Sequence, residues 1–290
     1  MLELPPLPDD LPWAAPAYLL LDGVSVADLM QRLSRWNRPL YCLYRDTRWH
    51  ELADISPCLI ALEGSADPLL TYFCEHAALE WGYLLFSEAD VQSQLEHWRH
   101  LLSVEQADGV EVMPRIADPA VMHQLLRLAE QDGSARWFGL VAHFCLPDGV
   151  EGVWRQHIRP EQPCAEPQTY RLTDRELAAL GEVEFRNIVC SLSEHLQTYF
   201  PAFMARFTLP ERRPYAQKLA SEAYRQGFSS EQELTLYANV FAYLAGQPVT
   251  EHPDIAQLLA QATAGAPLAR LERAADLAAN RAAHRQGGLL

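Results

Sequence analysis

The chain has 290 residues, 49% hydrophobic and 21% charged, which suits a folded globular protein with one large or two modest domains. Its formal charge of −15 is concentrated in residues 1–150, where 9 basic side chains face 22 acidic ones, so repulsion of phosphate excludes nucleic acid as a partner. No run of about 18 apolar residues is present to span a membrane, and residues 1–10 lack the charged and apolar regions of a signal peptide, so the expected location is the cytoplasm.

Residues 17–22 are a short apolar run closed by Gly23 and predict a buried strand. Ser25-Val-Ala-Asp28 then predicts a helix start, with Ser25 as the cap and Val26, Leu29, Met30 and Leu33 at helical spacing. Residues 39–44 and 58–62 read as strands. Asp67-Pro68 opens a helix to about residue 78, with proline at a tolerated first-turn position. Residues 81–86 form a fourth strand. Ser87-Glu-Ala-Asp90 starts a helix that carries Val91, Leu95, Trp98, Leu101 and Leu102 on one face. Residues 110–113 and 136–144 read as strands on either side of a helix over 119–129, and 152–158 as an edge strand. This alternation predicts an α/β or α+β domain over residues 1–160, a mixed sheet flanked by helices.

The composition then changes. Residues 159–167 contain three prolines, which predicts an extended linker over 161–168. Residues 169–290 show no strand pattern and read as an all-α lobe. Thr173-x-x-Glu176 is a capping box, followed by Leu177, Leu180, Ile188, Leu192 and Leu196 at helical spacing as far as Pro201. A helix over about 211–225 stops at Gly227, Ser230-x-x-Glu233 caps another, and two further helices finish the chain.

Enzyme chemistry is sparse. Gly23-Val-Ser25-Val-Ala27 lies between strand and helix like a nucleophile elbow, but the last glycine of that pattern is alanine. Ser25 as a hydrolase nucleophile is the enzyme alternative. The ten histidines include His97 and His100 on one helix, but no second well-spaced pair accompanies them, so no metal site is expected. The six cysteines include no C-x-x-C and read as reduced, mostly buried thiols. Phosphate-loop motifs are absent, and Lys218 is the single lysine. No cofactor and no catalytic residue are therefore assigned.

Six segments in order carry a resemblance to a known family. They are Tyr18-Leu-Leu-Leu-Asp-Gly23, Ser56-Pro-Cys-Leu-Ile-Ala-Leu62, Trp81-Gly-Tyr-Leu-Leu-Phe-Ser87, His97-Trp-Arg-His-Leu-Leu102, Arg115-Ile-Ala-Asp-Pro-Ala-Val-Met122 and Trp137-Phe-Gly-Leu-Val141. Together they resemble the type VI secretion effector-chaperone family over about residues 17–145. Ala117 and Ala120 stand where the fifth segment of the family has an aromatic and a second arginine, and Leu140 where the sixth has proline. A contact that needs the second arginine is not carried over.

The resemblance implies a non-catalytic adaptor. Such a protein binds its cognate effector in the cytoplasm and helps mount it on a VgrG-type spike protein. An immunity-like, toxin-neutralising protein is a further alternative of the binding class. The family-motif and partner-contact candidates are Trp81, Arg99, Arg115, Asp118, Trp137 and Phe138. Read physically, Arg115 and Asp118 pair across a turn, and Asp118 caps the helix that Pro119 opens. Arg99 reaches a carboxylate or backbone carbonyl. Trp137 and Phe138 lie on opposite faces of one strand, leaving one of them open to a partner.

Overall fold

Ala-Tyr-Leu-Leu-Leu and Gly-Tyr-Leu-Leu-Phe have no polar residue to turn outward, so a strand made of either must be covered on both faces. The computed structural model describes residues 2–161, 170–260 and 265–287, and both segments are strands at the centre of a sheet. Its strands are β1 (Ala17–Leu21), β2 (Tyr41–Cys42), β3 (Cys58–Ala61), β4 (Gly82–Phe86), β7 (His143–Asp148) and β8 (Val153–Ile158), in the order β2-β3-β1-β4-β7-β8. A separate small hairpin pairs β5 (Val104–Glu105) with β6 (Glu111–Val112). Every pairing in the six-stranded sheet is antiparallel, so the α+β form of the expected class holds and the sheet is not mixed.

The pleat sorts the side chains into two cores. Tyr18 and Leu20, Tyr83 and Leu85, and Phe144 and Leu146 face one side. They pack against Leu95, Trp98 and Leu101 of α3 (Val91–Leu101) and Met122, Leu125 and Leu126 of α4 (Pro119–Gln131). Leu19, Leu21, Leu84 and Phe86 face the other side. There they meet Leu29 and Leu33 of α1 (Leu29–Ser34), Leu69 and Phe73 of α2 (Pro68–His76), and Leu11 of the N-terminal segment.

Two helix starts shift from their expected positions. In both S-x-x-D segments the helix begins just after the aspartate, which caps α3 with its side chain but makes no side-chain cap bond at α1. Asp90 accepts from the Ser93 amide at 2.9 Å and starts α3, while Ser87 donates to the Leu140 carbonyl instead. α1 starts late, at Leu29, after Asp28 in a left-handed conformation, because Ser25 is bonded elsewhere. The strand expected over 136–144 begins only at His143, with Trp137 and Phe138 in the turns before it. The edge strand is found at the expected place, as β8.

The chain divides into two compact units, Met1–Val183 and Glu184–Leu290. The division expected over 161–168 falls largely on 162–168, outside the described residues. The units part later because Tyr170, Leu172 and Val183 pack into the core of the first unit. That division lies inside α5 (Asp174–Tyr199), which opens on the expected Thr173–Glu176 box. The second unit continues with α6 (Pro201–Met204), α7 (Leu209–Arg225), α8 (Glu231–Tyr243), α9 (Pro253–Leu259) and α10 (Pro267–Gly287). Capping boxes at Thr208–Glu211 and Ser230–Glu233 begin α7 and α8. Leu192, Leu196, Leu219, Phe228, Leu234, Leu271 and Ala274 form its core. No helix of the described residues is long and apolar enough to cross a membrane.

A latch ties α4 to β8. The Glu130 carboxylate bonds His157 Nδ1 at 2.8 Å and the Ile158 amide at 2.9 Å, and His157 Nε2 meets His123 Nδ1 at 2.9 Å. A neutral His157 with its proton on Nδ1 donates to Glu130 and accepts from His123, and the contact between the rings fails once both are protonated, since two imidazoliums offer only donors. Burial, aided by His157, pulls His123 down to about 4, and burial also lowers His157 despite its bond to Glu130. Stability from His123 is therefore complete above its ordinary value and lost as pH falls from about 6.5 towards 4. Discounted for the ring's partial exposure, the loss is about 1–2 kcal/mol. Chemical denaturation at pH 7 and pH 5 checks this, because His123→Gln keeps a donor without titrating and should lose less over that interval.

Candidate functional site

Asp22 ends the first central strand with both carboxylate oxygens inside the fold. Its Oδ1 accepts from the Val24 amide at 3.1 Å and its Oδ2 from the Ser25 hydroxyl at 2.7 Å. Arg115, 93 residues later, donates Nη2 to the same Oδ2 and to Ser25 Oγ, the latter at 3.1 Å. Its Nη1 lies 3.6 Å from Asp118 Oδ2. The other oxygen of Asp118 caps α4, accepting from the Ala120 and Val121 amides at 2.9 and 3.2 Å, as the Asp-Pro pair predicts. Tyr83 in β4 donates to the Ile116 carbonyl at 2.6 Å. The turn after β1 and the turn before α4 are thus held together by one guanidinium.

Electrostatically, two buried carboxylates share one part-exposed guanidinium. The side chains of Asp22 and Asp118 are 4% and 8% exposed and that of Arg115 is 42% exposed. Burial raises the Asp118 carboxyl even against the charge of Arg115. Burial lowers Arg115, but Asp22 and Asp118 outweigh it, so the guanidinium is held more firmly protonated than usual. Ser25 is consequently not a helix cap. Its hydroxyl is shared between Asp22 and Arg115, and no histidine is among its partners to act as the base of a nucleophile.

Arg99 has a similar internal role. From α3 its Nε donates to the Leu43 carbonyl at 3.2 Å and its Nη2 to the Arg45 carbonyl at 2.6 Å, tying down the turn after β2. Asp46 lies 3.8 Å away. Trp81, just before β4, stacks on His76 at 4.3 Å with the rings 15° apart. Around it runs a strip of aromatic and cationic side chains. Arg32 lies 5.5 Å over Trp81, and Arg35 lies 4.1 Å over Tyr72 and 5.5 Å over Trp36.

Trp137 and Phe138 are 1% and 0% exposed, so neither is open to a partner. Expecting one of them outside assumed strand alternation, and the turns around them turn both inward. Trp137 Nε1 donates to Glu176 Oε1 at 2.6 Å, and the Tyr170 hydroxyl donates to the same oxygen at 2.6 Å. Glu176 Oε2 accepts from the amide and hydroxyl of Thr173 at 2.8 and 2.9 Å. Sequence reading identified Glu176 only as half of a capping box. His97 and His100 gather no metal set: among the described residues no group of three His, Cys, Asp or Glu is arranged to hold an ion.

Comparison with known proteins places this geometry. Residues 17–135 match the family described as a domain of unknown function, DUF4123. The chain is 30% identical over 268 residues to accessory protein VasW of Vibrio cholerae, covering 90% of this chain and 87% of that protein. The chain belongs to the type VI secretion effector-chaperone family. No solved structure matches it. The family-matched stretch contains Asp22, Trp81, Arg99, Arg115 and Asp118, so the arginine-centred triad lies wholly within it. Trp137 and Phe138 lie just past its end.

Proposed function

We propose that this chain is a non-catalytic adaptor that binds a cognate type VI effector in the cytoplasm and promotes its loading onto a VgrG-type spike protein. The similarity to an accessory protein along 90% of the chain carries the reading. The chemistry of the candidate residues supports it. Arg99, Arg115, Asp118 and Trp137 are engaged in internal bonds that shape the domain, as a binding scaffold requires.

The contact surface in this reading is the strip beside Trp81. Arg32 and Arg35 meet aromatic faces and have no carboxylate partner among the described residues, although residues 1–150 carry a net charge of −13. Arginine and aromatic side chains at one exposed site are the residue types that anchor interfaces.

The test is co-purification of the tagged chain with the products of neighbouring genes, with elution read by mass spectrometry. Recovery of an effector, and of the spike protein in a ternary or sequential complex, is the expected result. The double substitution Arg32→Ala with Arg35→Ala, at two exposed positions, should cut recovery at least about tenfold, as loss of a central anchor does, with little change in the unfolding midpoint. A folded chain that retains neither protein overturns the adaptor reading. A complex that inhibits a toxin and never reaches the spike points to the immunity class instead.

A further inference from the structure

We infer that Cys42, Cys58 and Met30 form a three-sulfur site for a soft monovalent metal ion, with Cu(I) as its natural occupant. The inference is independent of the adaptor reading and rests on geometry that strand register imposes. Cys42 of β2 and Cys58 of β3 are direct partners in an antiparallel pair, and both side chains turn to the face covered by α1. Their sulfurs lie 3.6 Å apart. Met30, in α1, lays its thioether 3.3 Å from Cys42 Sγ and 3.6 Å from Cys58 Sγ.

Three sulfurs at these separations make a nearly equilateral triangle whose centre is about 2.0 Å from each, against a thiolate–metal bond of about 2.3 Å. An ion at the centre needs each sulfur to retreat by only about 0.3 Å. The donor set selects the ion. Thiolate and thioether sulfur prefer Cu(I), whereas a closed zinc site wants four ligands, commonly including imidazole or carboxylate. Among the described residues no histidine or carboxylate hydrogen-bonds these sulfurs, and a further contact runs from Cys58 Sγ to the Ser56 carbonyl at 3.4 Å.

The shared bond drives the two thiols in opposite directions. The bond from Cys58, followed by the field of Arg45, draws the Cys42 thiol down to about 7 against the effect of burial. The same shared bond and burial push Cys58 up, so the pair holds one proton tightly. An arriving ion displaces that proton, and two thiolates with Cu(I) carry a net −1 beside Arg45. Cys42 and Cys58 are 4% and 0% exposed, whereas Met30 is part-exposed and provides the way in.

Anaerobic titration of the reduced full chain with Cu(I), against bicinchoninate as a coloured competitor, tests the assignment. About one equivalent should be withheld from the competitor, with three sulfurs at about 2.3 Å by X-ray absorption. Met30→Leu keeps the side-chain volume and the fold, yet should weaken binding at least about tenfold and leave two sulfurs around the ion. Cys42→Ser should abolish binding. Three results overturn the inference: no retention against the competitor, equal retention by Met30→Leu, or retention by Cys42→Ser, which moves the ion to other thiols.

Discussion

Arg115→Ala will destabilise the first unit by about 2–3 kcal/mol, chiefly by leaving two buried carboxylates without a counter-charge. Removing one member of a fully buried ion pair costs about 3–5 kcal/mol. Here the cost is reduced because Arg115 is 42% exposed and because each aspartate keeps other donors: Ser25 and the Val24 amide for Asp22, and two helix-start amides for Asp118. The effect should depend on pH with a definite sign. Burial already raises the Asp118 carboxyl, and loss of the nearby guanidinium raises it further. A carboxyl with a raised folded value takes up its proton more readily folded than unfolded, so the deficit of the variant shrinks as pH falls from 7 towards 5. Urea unfolding at the two pH values measures both quantities. A deficit below about 0.5 kcal/mol at pH 7 would mean that the triad does not hold the two turns together. Arg115→Lys discriminates further, since an ammonium supplies charge but not the fork that reaches Asp22, Ser25 and Asp118 at once.

That triad shows which features are legible in sequence and which are not. Asp118 as a cap followed by Pro119 is local information, within reach of four residues, and the structure has it where the sequence puts it. Asp22 lies in the opening segment of the resemblance and Arg115 in the fifth, 93 positions apart, and no periodicity links them. The sheet order is hidden for the same reason. β1 lies between β3 and β4, a long-range choice that five apolar letters cannot encode. Ser25 and Ser87 illustrate a subtler limit: S-x-x-D contains two possible caps, and the serine does not cap when another group engages its hydroxyl. For Ser87 that group is the Leu140 carbonyl. For Ser25 it is Asp22, itself fixed by Arg115. Trp137 and Phe138 read as strand residues because six of the nine residues 136–144 are apolar. The chain bends there, with Gly139 in a left-handed conformation, so both rings enter the core and alternation no longer applies.

Glu176→Ala should cost about 3–5 kcal/mol, because the carboxylate serves four donors and replacing it strands the buried ones together. Trp137 Nε1 and the Tyr170 hydroxyl lose their common acceptor, and the Thr173 amide loses the reciprocal half of its capping box. Water does not easily replace it, since Glu176 is 6% exposed and Trp137 only 1%. Glu176→Gln retains an acceptor oxygen for the two ring donors but sets an amide N–H₂ against the amide and hydroxyl of Thr173, so it should cost about half as much. Trp137→Phe removes one donor and keeps most of the packing, at about 1 kcal/mol. The ordering Ala, then Gln, then Phe in urea midpoints is the signature of a charged acceptor hub. Equal losses for the two Glu176 variants would reduce Glu176 to an ordinary helix cap. The ranking also bears on the partner question. A Trp137 variant that loses its effector together with stability has lost a wall of the first core, whereas Arg32→Ala with Arg35→Ala, both exposed, should lose the effector with stability intact.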